Sequence, residues 1–357
     1  MSVRSADSAS ISFPWKWYLA DLEKVRKNGL KVFSCFSCGG GSSLGYKLAG
    51  YDVIGCCEID ADMMKIYRQN NHPRYFYLMD IRDFVNLPDD DIPEELRDLD
   101  VLDGSPPCSV FSLAGSREDA WNEEKVFREG QAKQRLDDLF LYFLEVAKRL
   151  QPKVVIAENV KGLIIGNAKG WAHEIVKAFG DAGYDVQVFV FNSARMGVPQ
   201  KRERVFFIGT RKDLKNEKLR MEFHQKPITF GEVRDEHGKP MKPGSQQAIM
   251  IKRRIPSDRW MADISKRIRR KDSGFTVPIN HDEEPSATIT AGGSMCRYVD
   301  GCLMTDRDII NCQTFPQDYD FMDQNVQYVC GMSVPPVMMA NIAREVYEQV
   351  FRKEVER

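Results

Sequence analysis

Seven short runs rich in β-branched and aromatic residues, separated by stretches of helical periodicity, constrain the fold more than any other feature of this sequence. In chain order the runs are KVFSCFS, YDVIGCCEID, RYFYLMDI, LDVLDGS, KVVIAENV, YDVQVFVFNS and RVFFIGT. Between them, apolar residues recur at three- and four-residue spacings over residues 61–70, 137–150 and 171–183. Such alternation is typical of an α/β fold with a doubly wound, mostly parallel sheet.

The alternation stops after Thr210, and the organisation of the chain changes there. Up to about Ala291 the sequence has scattered Pro and Gly, many charges and weak strand signals, which predicts a smaller, irregular domain. A final helix at about 337–353 has apolar residues at core spacing and is expected to return to the sheet. We predict a main domain of residues 1–211, completed by 318–357, and a small domain of residues 212–317.

Composition excludes several classes of protein. With 43% hydrophobic and 29% charged residues, the chain can form a sizeable core and is neither disordered nor fibrous. No apolar run approaches the length of a membrane span and no signal-peptide stretch is present, so we expect a cytoplasmic protein without membrane contact. The nine cysteines are odd in number and lack metal-ligand spacing, which predicts reduced thiols and no bound metal.

The net charge of −1 hides a strongly basic segment. Residues 252–271 contain nine Lys and Arg against two acids, a local charge of +7 that leaves −8 for the rest of the chain. This asymmetry predicts a polyanionic partner, although a solvated charged helix face would give the same pattern. The candidate phosphate-binding residues are Lys252, Arg253, Arg254, Lys266, Arg267, Arg269, Arg270 and Lys271. Trp260 and Ile264 are expected to pack inside the small domain.

A glycine cluster follows the first predicted strand, in FSCFSCGGGSSLG. Gly39, Gly40 and Gly41 would permit a tight turn and a close approach of a ligand to the start of a helix. Glu58 closes the second predicted strand, where a carboxylate can accept hydrogen bonds from ribose hydroxyls, and Asp80 closes the third. Strand ends with these groups predict a nucleoside cofactor site. A tight turn with two solvated acids remains the alternative.

The segment LDVLDGSPPCSVFS ends an apolar strand in two prolines and a cysteine. Pro106 and Pro107 fix the backbone immediately before Cys108, so the thiol could be aimed into a crevice at the end of the strand. This setting favours a nucleophilic thiol, with a buried inert cysteine as the alternative.

Two further motifs place an acid and two arginines at strand ends. The apolar strand IAENV delivers Glu158 and Asn159, and burial is expected to raise the pKa of the Glu158 carboxyl so that it can act as an acid. The segment QKRERVFFIG places Arg202 and Arg204 on one face of a strand. Together with the thiol, these groups would surround one crevice.

In this order the motifs resemble those of the DNA cytosine-5 methyltransferases that use S-adenosylmethionine. The resemblance runs from Val32 onward and begins with a glycine turn, at 36–41, similar to the family's Phe-x-Gly-x-Gly-Gly. The later matches are Pro107-Cys108 with its Pro-Cys, Glu158 to Val160 with its Glu-Asn-Val, Gln200 to Arg204 with its Gln-x-Arg-x-Arg, RDIINCQTFP with its late Gln-x-Phe-Pro motif and QYVCGMSVPP with its last cofactor-side motif.

The resemblance implies a Rossmann-like S-adenosylmethionine-dependent methyltransferase fold, with residues 1–211 as catalytic domain and 212–317 as target-recognition domain. Cys108 would add to C6 of a flipped-out cytosine while Glu158 binds N3 and Arg204 binds O2, so that C5 can take the methyl group. Asn159 and Arg202 would hold Glu158 and the crevice wall. The implied cofactor-binding residues are Phe36, Gly39, Gly40, Gly41, Glu58, Ile59, Asp80, Ile81, Pro107 and Ser333.

This chain departs from the family's usual residues at several positions. Ser34 stands where the family usually has Asp, and Cys38 where it usually has Gly, which predicts a differently shaped cofactor turn. The other departures are Ser109, Asn311, Cys312 and Met332. The thiol, the acid and the arginines are all retained, so we expect activity.

Duplex DNA is therefore the expected substrate and 5-methylcytosine the expected product. A tRNA cytosine-5 methyltransferase with the same motif set and a catalytically silent nucleic-acid-binding homologue are the alternatives. The compact region after Lys212 suggests a monomeric bacterial or phage enzyme, nucleoid-associated in the cytoplasm, with a cognate restriction endonuclease as a functional partner.

Overall fold

The computed structural model describes residues 12–107, 138–165, 169–269 and 277–352. Seven strands form the central sheet: β1 (Lys31–Cys35), β2 (Asp52–Glu58), β3 (Tyr75–Leu78), β4 (Val101–Gly104), β5 (Val154–Val160), β6 (Tyr184–Asn192) and, after the short β7 (Gln200–Lys201), β8 (Glu203–Arg211). Their order is β3-β2-β1-β4-β5-β8-β6. Each of the seven predicted runs contains one of these strands, so that prediction is confirmed.

Strand direction in the sheet is mostly parallel. β3, β2, β1, β4 and β5 pair in parallel, whereas β8 is antiparallel to both β5 and β6. The chain winds outward from β1 to β3, then returns to the other side of β1 with β4. This reversal confirms the doubly wound prediction and opens a crevice beyond the carboxyl ends of β1 and β4.

Helices cover both faces of the sheet. In chain order the helices of the described residues are α1 (Gly41–Leu48), α2 (Ala61–Asn71), α3 (Ile81–Val85), α4 (Leu139–Leu150), α5 (Lys169–Asp181), α6 (Phe230–Val233), α7 (Gln246–Ile251), α8 (Met261–Arg269), α9 (Asp306–Gln313), α10 (Val326–Met332) and α11 (Pro336–Val346). Successive strand residues face opposite sides: Val32 and Val101 join a core with α1 and α11, whereas Phe33 and Leu102 join a core with α3, α4 and α5. The C-terminal helix therefore returns to the sheet, as predicted.

The segment after β8 is irregular, as its sequence predicts. Its strands have two residues each: β9 (Ile279–Asn280), β10 (Ser286–Ala287), which pairs with β7, and β11 (Cys296–Arg297), which pairs with β9. A small separate core contains Met250, Met261 and Ile264, but Phe230 and Phe315 belong to the main core.

Trp260 corrects one expectation about this segment. Ile264 is fully buried, as predicted, whereas the side chain of Trp260 is 44% exposed. Trp260 immediately precedes α8, and its backbone forms a bridge to Pro278.

Two further observations concern the described part of the chain. Its eight cysteines are all free. It contains no helix that is both long enough and apolar enough to cross a bilayer.

We predict that Phe207→Ala destabilises the fold by about 3–5 kcal/mol, because it leaves a cavity in a closely packed core. Phe207 is fully buried, and its ring lies 5.5 Å from that of Phe140 and 6.4 Å from that of Phe179. Urea denaturation measures the free energy of unfolding. Phe76→Ala is the control, since Phe76 is 43% exposed on the edge strand β3 and should cost about 1 kcal/mol or less. Equal losses in the two variants would contradict the prediction.

Candidate active site

A cleft of about 810 Å³, which includes open solvent at its mouth, lies beyond the carboxyl ends of β1 to β4. Six of the predicted cofactor residues line it together: Phe36, Glu58, Ile59, Asp80, Ile81 and Pro107. Gly41 and Ser333 line a smaller recess beside it. Gly39 and Gly40 are in neither lining.

The glycine turn is shaped by protein packing. Gly40 has φ +77° and precedes α1, a conformation that favours glycine. A Cβ at Gly39 would lie 2.4 Å from a Val329 methyl carbon, and one at Gly41 would lie 2.3 Å from the Val334 carbonyl oxygen. The glycines thus let the turn and the start of α1 approach α10 and the segment that follows it. Direct contact between these glycines and a ligand stays a prediction.

Cys38 occupies a strained position in the same turn. Its φ is +45°, which explains why glycine would be the usual residue there. Its backbone N–H donates to Glu58 Oε2 at 2.7 Å, and this bond holds the turn against the end of β2. Cys38 therefore adopts a backbone conformation that is unusual for a residue with a side chain, and its hydrogen bond to the Glu58 carboxylate stabilises that conformation.

The two predicted strand-end acids differ in their surroundings. Glu58 is 8% exposed and accepts backbone N–H bonds from Cys38, Ile59 and Asp60. Burial raises the pKa of its carboxyl, and the three N–H donors oppose that shift. Asp80 caps α3 and pairs with Arg82 at 2.9 Å. Both carboxylates border the cleft, and the apolar side chains of Ile59 and Ile81 lie beside them.

Glu158 and Arg204 meet at the ends of two adjacent strands. Arg204 Nε lies 2.9 Å from Glu158 Oε1, and both side chains are largely buried. Because β8 runs antiparallel to β5, its first residues lie beside the last residues of β5, with Val160 opposite Arg204. The predicted acid and planar cation are therefore brought together. The predicted nucleophile, Cys108, lies outside the described residues.

Asn159 connects this strand end to the turn that precedes Cys108. Its Nδ2 donates to the Pro106 carbonyl oxygen at 3.0 Å, and its Oδ1 accepts the Val160 N–H at 2.8 Å. Asn159 is buried, so these bonds are shielded from water. The side chain fixes the position of the Pro106–Pro107 turn relative to Glu158.

Arg202 forms hydrogen bonds within the crevice wall. Its guanidinium donates to the carbonyl oxygens of Ile289 at 2.9 Å and Gly331 at 3.0 Å. Burial, with Arg204 nearby, lowers its pKa to about 9. The structure thus uses Arg202 to join the start of β8 to the turn at 288–293 and to α10, whose Tyr328 and Met332 border the cleft.

Sequence reasoning assigned no role to three buried polar residues near the site. Gln200 Nε2 donates to Gln313 Oε1, and Gln313 Nε2 donates to the Ser333 carbonyl oxygen. Asp103, in β4, accepts hydroxyl hydrogen bonds from Ser34 and Ser42. The available sequence signals were the two glutamines within recognised motifs and an acid near the end of an apolar strand.

Some side chains of the basic segment are exposed to solvent, whereas others bind groups of the protein itself. Lys252, Arg253 and Lys266 are exposed. Arg254 donates to the carbonyl oxygens of Ile251, Tyr298 and Val299, and Arg267 pairs with Asp258 at 2.7 Å. The Arg269 side chain, Arg270 and Lys271 lie outside the described part of the structure.

The sequence model of the family described as C-5 cytosine-specific DNA methylase matches residues 30–348. The chain belongs to this family. It is a DNA cytosine-5 methyltransferase, and the family uses S-adenosylmethionine as methyl donor.

Similar proteins span almost the whole chain. The type II methyltransferase M.NgoPII of Neisseria gonorrhoeae is 28% identical over 92% of this chain and 97% of its own length. M1.HphI of Haemophilus parahaemolyticus, also a type II methyltransferase, is 29% identical over 89% of this chain and 86% of its own length. A crystal structure described as a prophage DNA modification methyltransferase of E. coli shares the fold, with a TM-score of 0.65, 20% identity and coverage of 90% of this chain and 99% of that one.

We predict that Asn159→Ala slows methyl transfer about 100-fold, because the turn before Cys108 loses its anchor beside Glu158. The affinity for S-adenosylhomocysteine should change by less than about twofold, since Asn159 is not in the cleft lining. Single-turnover transfer of labelled methyl measures the rate, and titration calorimetry measures the affinity.

Asn28→Ala is the matched control. Asn28 also donates to a main-chain carbonyl, that of Ala49, at 3.3 Å, but it precedes β1 at the opposite end of the sheet. An unchanged rate in Asn159→Ala, or an equal loss in both variants, would contradict the assigned role.

Proposed function

We propose that this enzyme methylates C5 of a cytosine flipped out of duplex DNA, by way of a covalent bond between Cys108 and C6. The observation that carries the proposal is the Glu158–Arg204 pair, 2.9 Å apart, beside the Pro106–Pro107 turn that Asn159 holds. An acid and a planar donor at this spacing can bind N3 and O2 on the same edge of cytosine. The thiol that follows Pro107 would lie beside that ring.

The chain's own residues would activate the ring. The Cys108 thiolate adds to C6, Glu158 donates a proton or hydrogen bond to N3, and Arg204 stabilises the charge at O2. C5 then becomes nucleophilic. After C5 is methylated, loss of its proton restores the C5–C6 double bond and expels the Cys108 thiolate. Water would accept this proton.

The cleft suits S-adenosylmethionine, which supplies an electrophilic methyl group when bound. Glu58 would accept hydrogen bonds from the ribose hydroxyls, and Asp80 would accept one from the adenine amino group. Phe36, Ile59 and Ile81 offer apolar surface to the purine. Pro107 lies in the same lining, which would bring the cofactor close to the turn before the nucleophile.

Residues 212–317 would act as the target-recognition domain. Lys252, Arg253 and Lys266 are exposed and can contact phosphates, which would offset the cost of a few kcal/mol for flipping the base. The turn at 288–293 follows β10, whose partner β7 immediately precedes Arg202 and Arg204. DNA bound to this segment would therefore lie against the crevice.

A bacterial or phage setting fits the relatives. M.NgoPII and M1.HphI are type II methyltransferases, and a further relative is described as an orphan methyltransferase of Bacillus phage SPR, 30% identical over 68% of this chain. We infer a monomeric, cytoplasmic enzyme associated with the nucleoid and paired in function with a cognate restriction endonuclease.

We expect wild-type enzyme to transfer labelled methyl from S-adenosylmethionine to duplex DNA as 5-methylcytosine, and Cys108→Ala to transfer none, because only a thiolate at this position can add to C6. Nucleoside digestion identifies the product, and total tRNA is assayed in parallel. Cys302→Ala is the control, since this partly exposed thiol lies after β11 and should be dispensable. Label in tRNA alone, or full activity in Cys108→Ala, would overturn the proposal.

We expect the double variant Lys252→Ala/Arg253→Ala to lower the slope of log Kd for DNA against log salt by about 2, because each lost phosphate contact lowers it by about 1. Fluorescence anisotropy over a salt series measures the slope. Lys24→Ala is the control, since Lys24 is exposed and its partner is Asp21, before β1. An unchanged slope in the double variant would show that Lys252 and Arg253 do not contact DNA phosphates.

A further inference from the structure

Asp103 is a buried carboxyl that the proposed mechanism leaves unused. It is 2% exposed. Its Oδ2 accepts hydrogen bonds from Ser34 Oγ at 2.9 Å and Ser42 Oγ at 2.7 Å, and its Oδ1 accepts one from the Tyr46 hydroxyl at 3.3 Å. All three donors are neutral hydroxyls.

Burial of the Asp103 carboxylate lowers the stability of the fold. Burial raises its pKa to about 6, and Glu158 adds a smaller effect of the same sign. No salt bridge to Asp103 occurs within residues 12–107, 138–165, 169–269 and 277–352. A buried carboxylate without a cationic partner is costly, and ionisable groups with strongly shifted pKa values cluster at functional sites.

Asp103 lies where a ligand could supply that charge. It lines a small recess with Ser34, Ser42, Ser105, Met332 and Ser333, and among the described residues of that lining it is the only one with a charged side chain. Ser105, Met332 and Phe36 also line the main cleft, so the recess opens from the proposed cofactor site.

The position of Asp103 also accounts for a departure noted in the sequence. Ser34, where the family usually has Asp, is the direct partner of Asp103 in the pairing of β1 with β4. The two side chains are hydrogen-bonded to each other. A carboxyl is therefore present at this place, supplied by the neighbouring strand.

We propose that Asp103 recognises the amino-acid end of S-adenosylmethionine, its carboxylate accepting a hydrogen bond from the ligand's α-ammonium group. The inference rests on the proposed function and names one contact of that site. Ser34, Ser42 and Tyr46 hold the carboxylate in place, and the ammonium supplies the charge that these hydroxyls lack. Asp103 would thereby favour ligands with an intact amino-acid end.

A four-way binding comparison tests the contact. Wild type and Asp103→Asn are titrated by calorimetry with S-adenosylhomocysteine and with its analogue that lacks the α-amino group. For wild type, removal of the amino group should weaken binding about 10- to 100-fold, as expected for a hydrogen bond between charged groups. For Asp103→Asn the two ligands should bind within about threefold of each other, because the partner of the ammonium is gone.

Two further variants keep the test independent of folding. Ser34→Asp/Asp103→Ser returns the carboxyl to β1 and should restore the preference for the amino group. Asp100→Asn makes the same chemical change just before β4, where the carboxylate binds Lys31 N and Lys153, and it should leave both affinities unchanged. Equal affinity of wild type for the two ligands overturns the proposal even if Asp103→Asn does not fold, and the double variant then tests whether the preference follows the carboxyl.

The remaining outcomes separate this proposal from the proposed function. If Asp103→Asn weakens the binding of both ligands equally and keeps the wild-type preference for the α-amino group, Asp103 is structural and the proposal is wrong. DNA methylation by wild type would still support the proposed function in that case. If the preference depends on Asp103 but wild type methylates no DNA, the contact stands and the function fails.

Discussion

The antiparallel pairing of β8 with β5 is the constraint on which the proposed active site depends. In a fully parallel sheet the start of β8 would lie at the amino ends of its neighbours, far from Glu158. Reversal of this one strand places Arg204 beside Glu158 and Arg202 against the wall of the crevice. The ion pair is then positioned by the hydrogen-bond ladder of the sheet, which is more rigid than a loop.

A buried polar network extends this geometry toward the proposed cofactor cleft. Gln200 accepts the Ile289 N–H at 2.8 Å and donates to Gln313, which in turn binds the Ser333 carbonyl oxygen at 2.8 Å. Arg202 binds the Ile289 and Gly331 carbonyl oxygens. Irregular backbone can be buried here because these side chains satisfy its polar groups. The crevice beside Glu158 and Arg204 and the wall of the cleft thus share one set of hydrogen bonds.

The start of α1 shows how strain and buried charge concentrate in the same region. Phe36 and Cys38 have positive φ, Glu58 holds the Cys38 N–H, and Asp103 lies beneath the first turn of the helix. The positive φ values and the buried Asp103 carboxyl each cost stability. Their coincidence at the edge of one cleft is the pattern expected of a binding site, where stability is exchanged for a preformed ligand geometry.

Sequence by itself determined the strands, the mostly parallel sheet and the family, because local periodicity and motif order are properties of neighbouring residues. It also placed the strand-end acids Glu58 and Asp80 at one edge of the sheet, since the carboxyl ends of parallel strands share that edge. Only the tertiary structure decided how these side chains are used. In the folded chain, Arg202 donates hydrogen bonds to two carbonyl oxygens and Trp260 is half exposed. Asp103 lies opposite Ser34 in the sheet. These outcomes depend on contacts between residues far apart in the chain, such as 202 with 331 and 34 with 103, which no local pattern records.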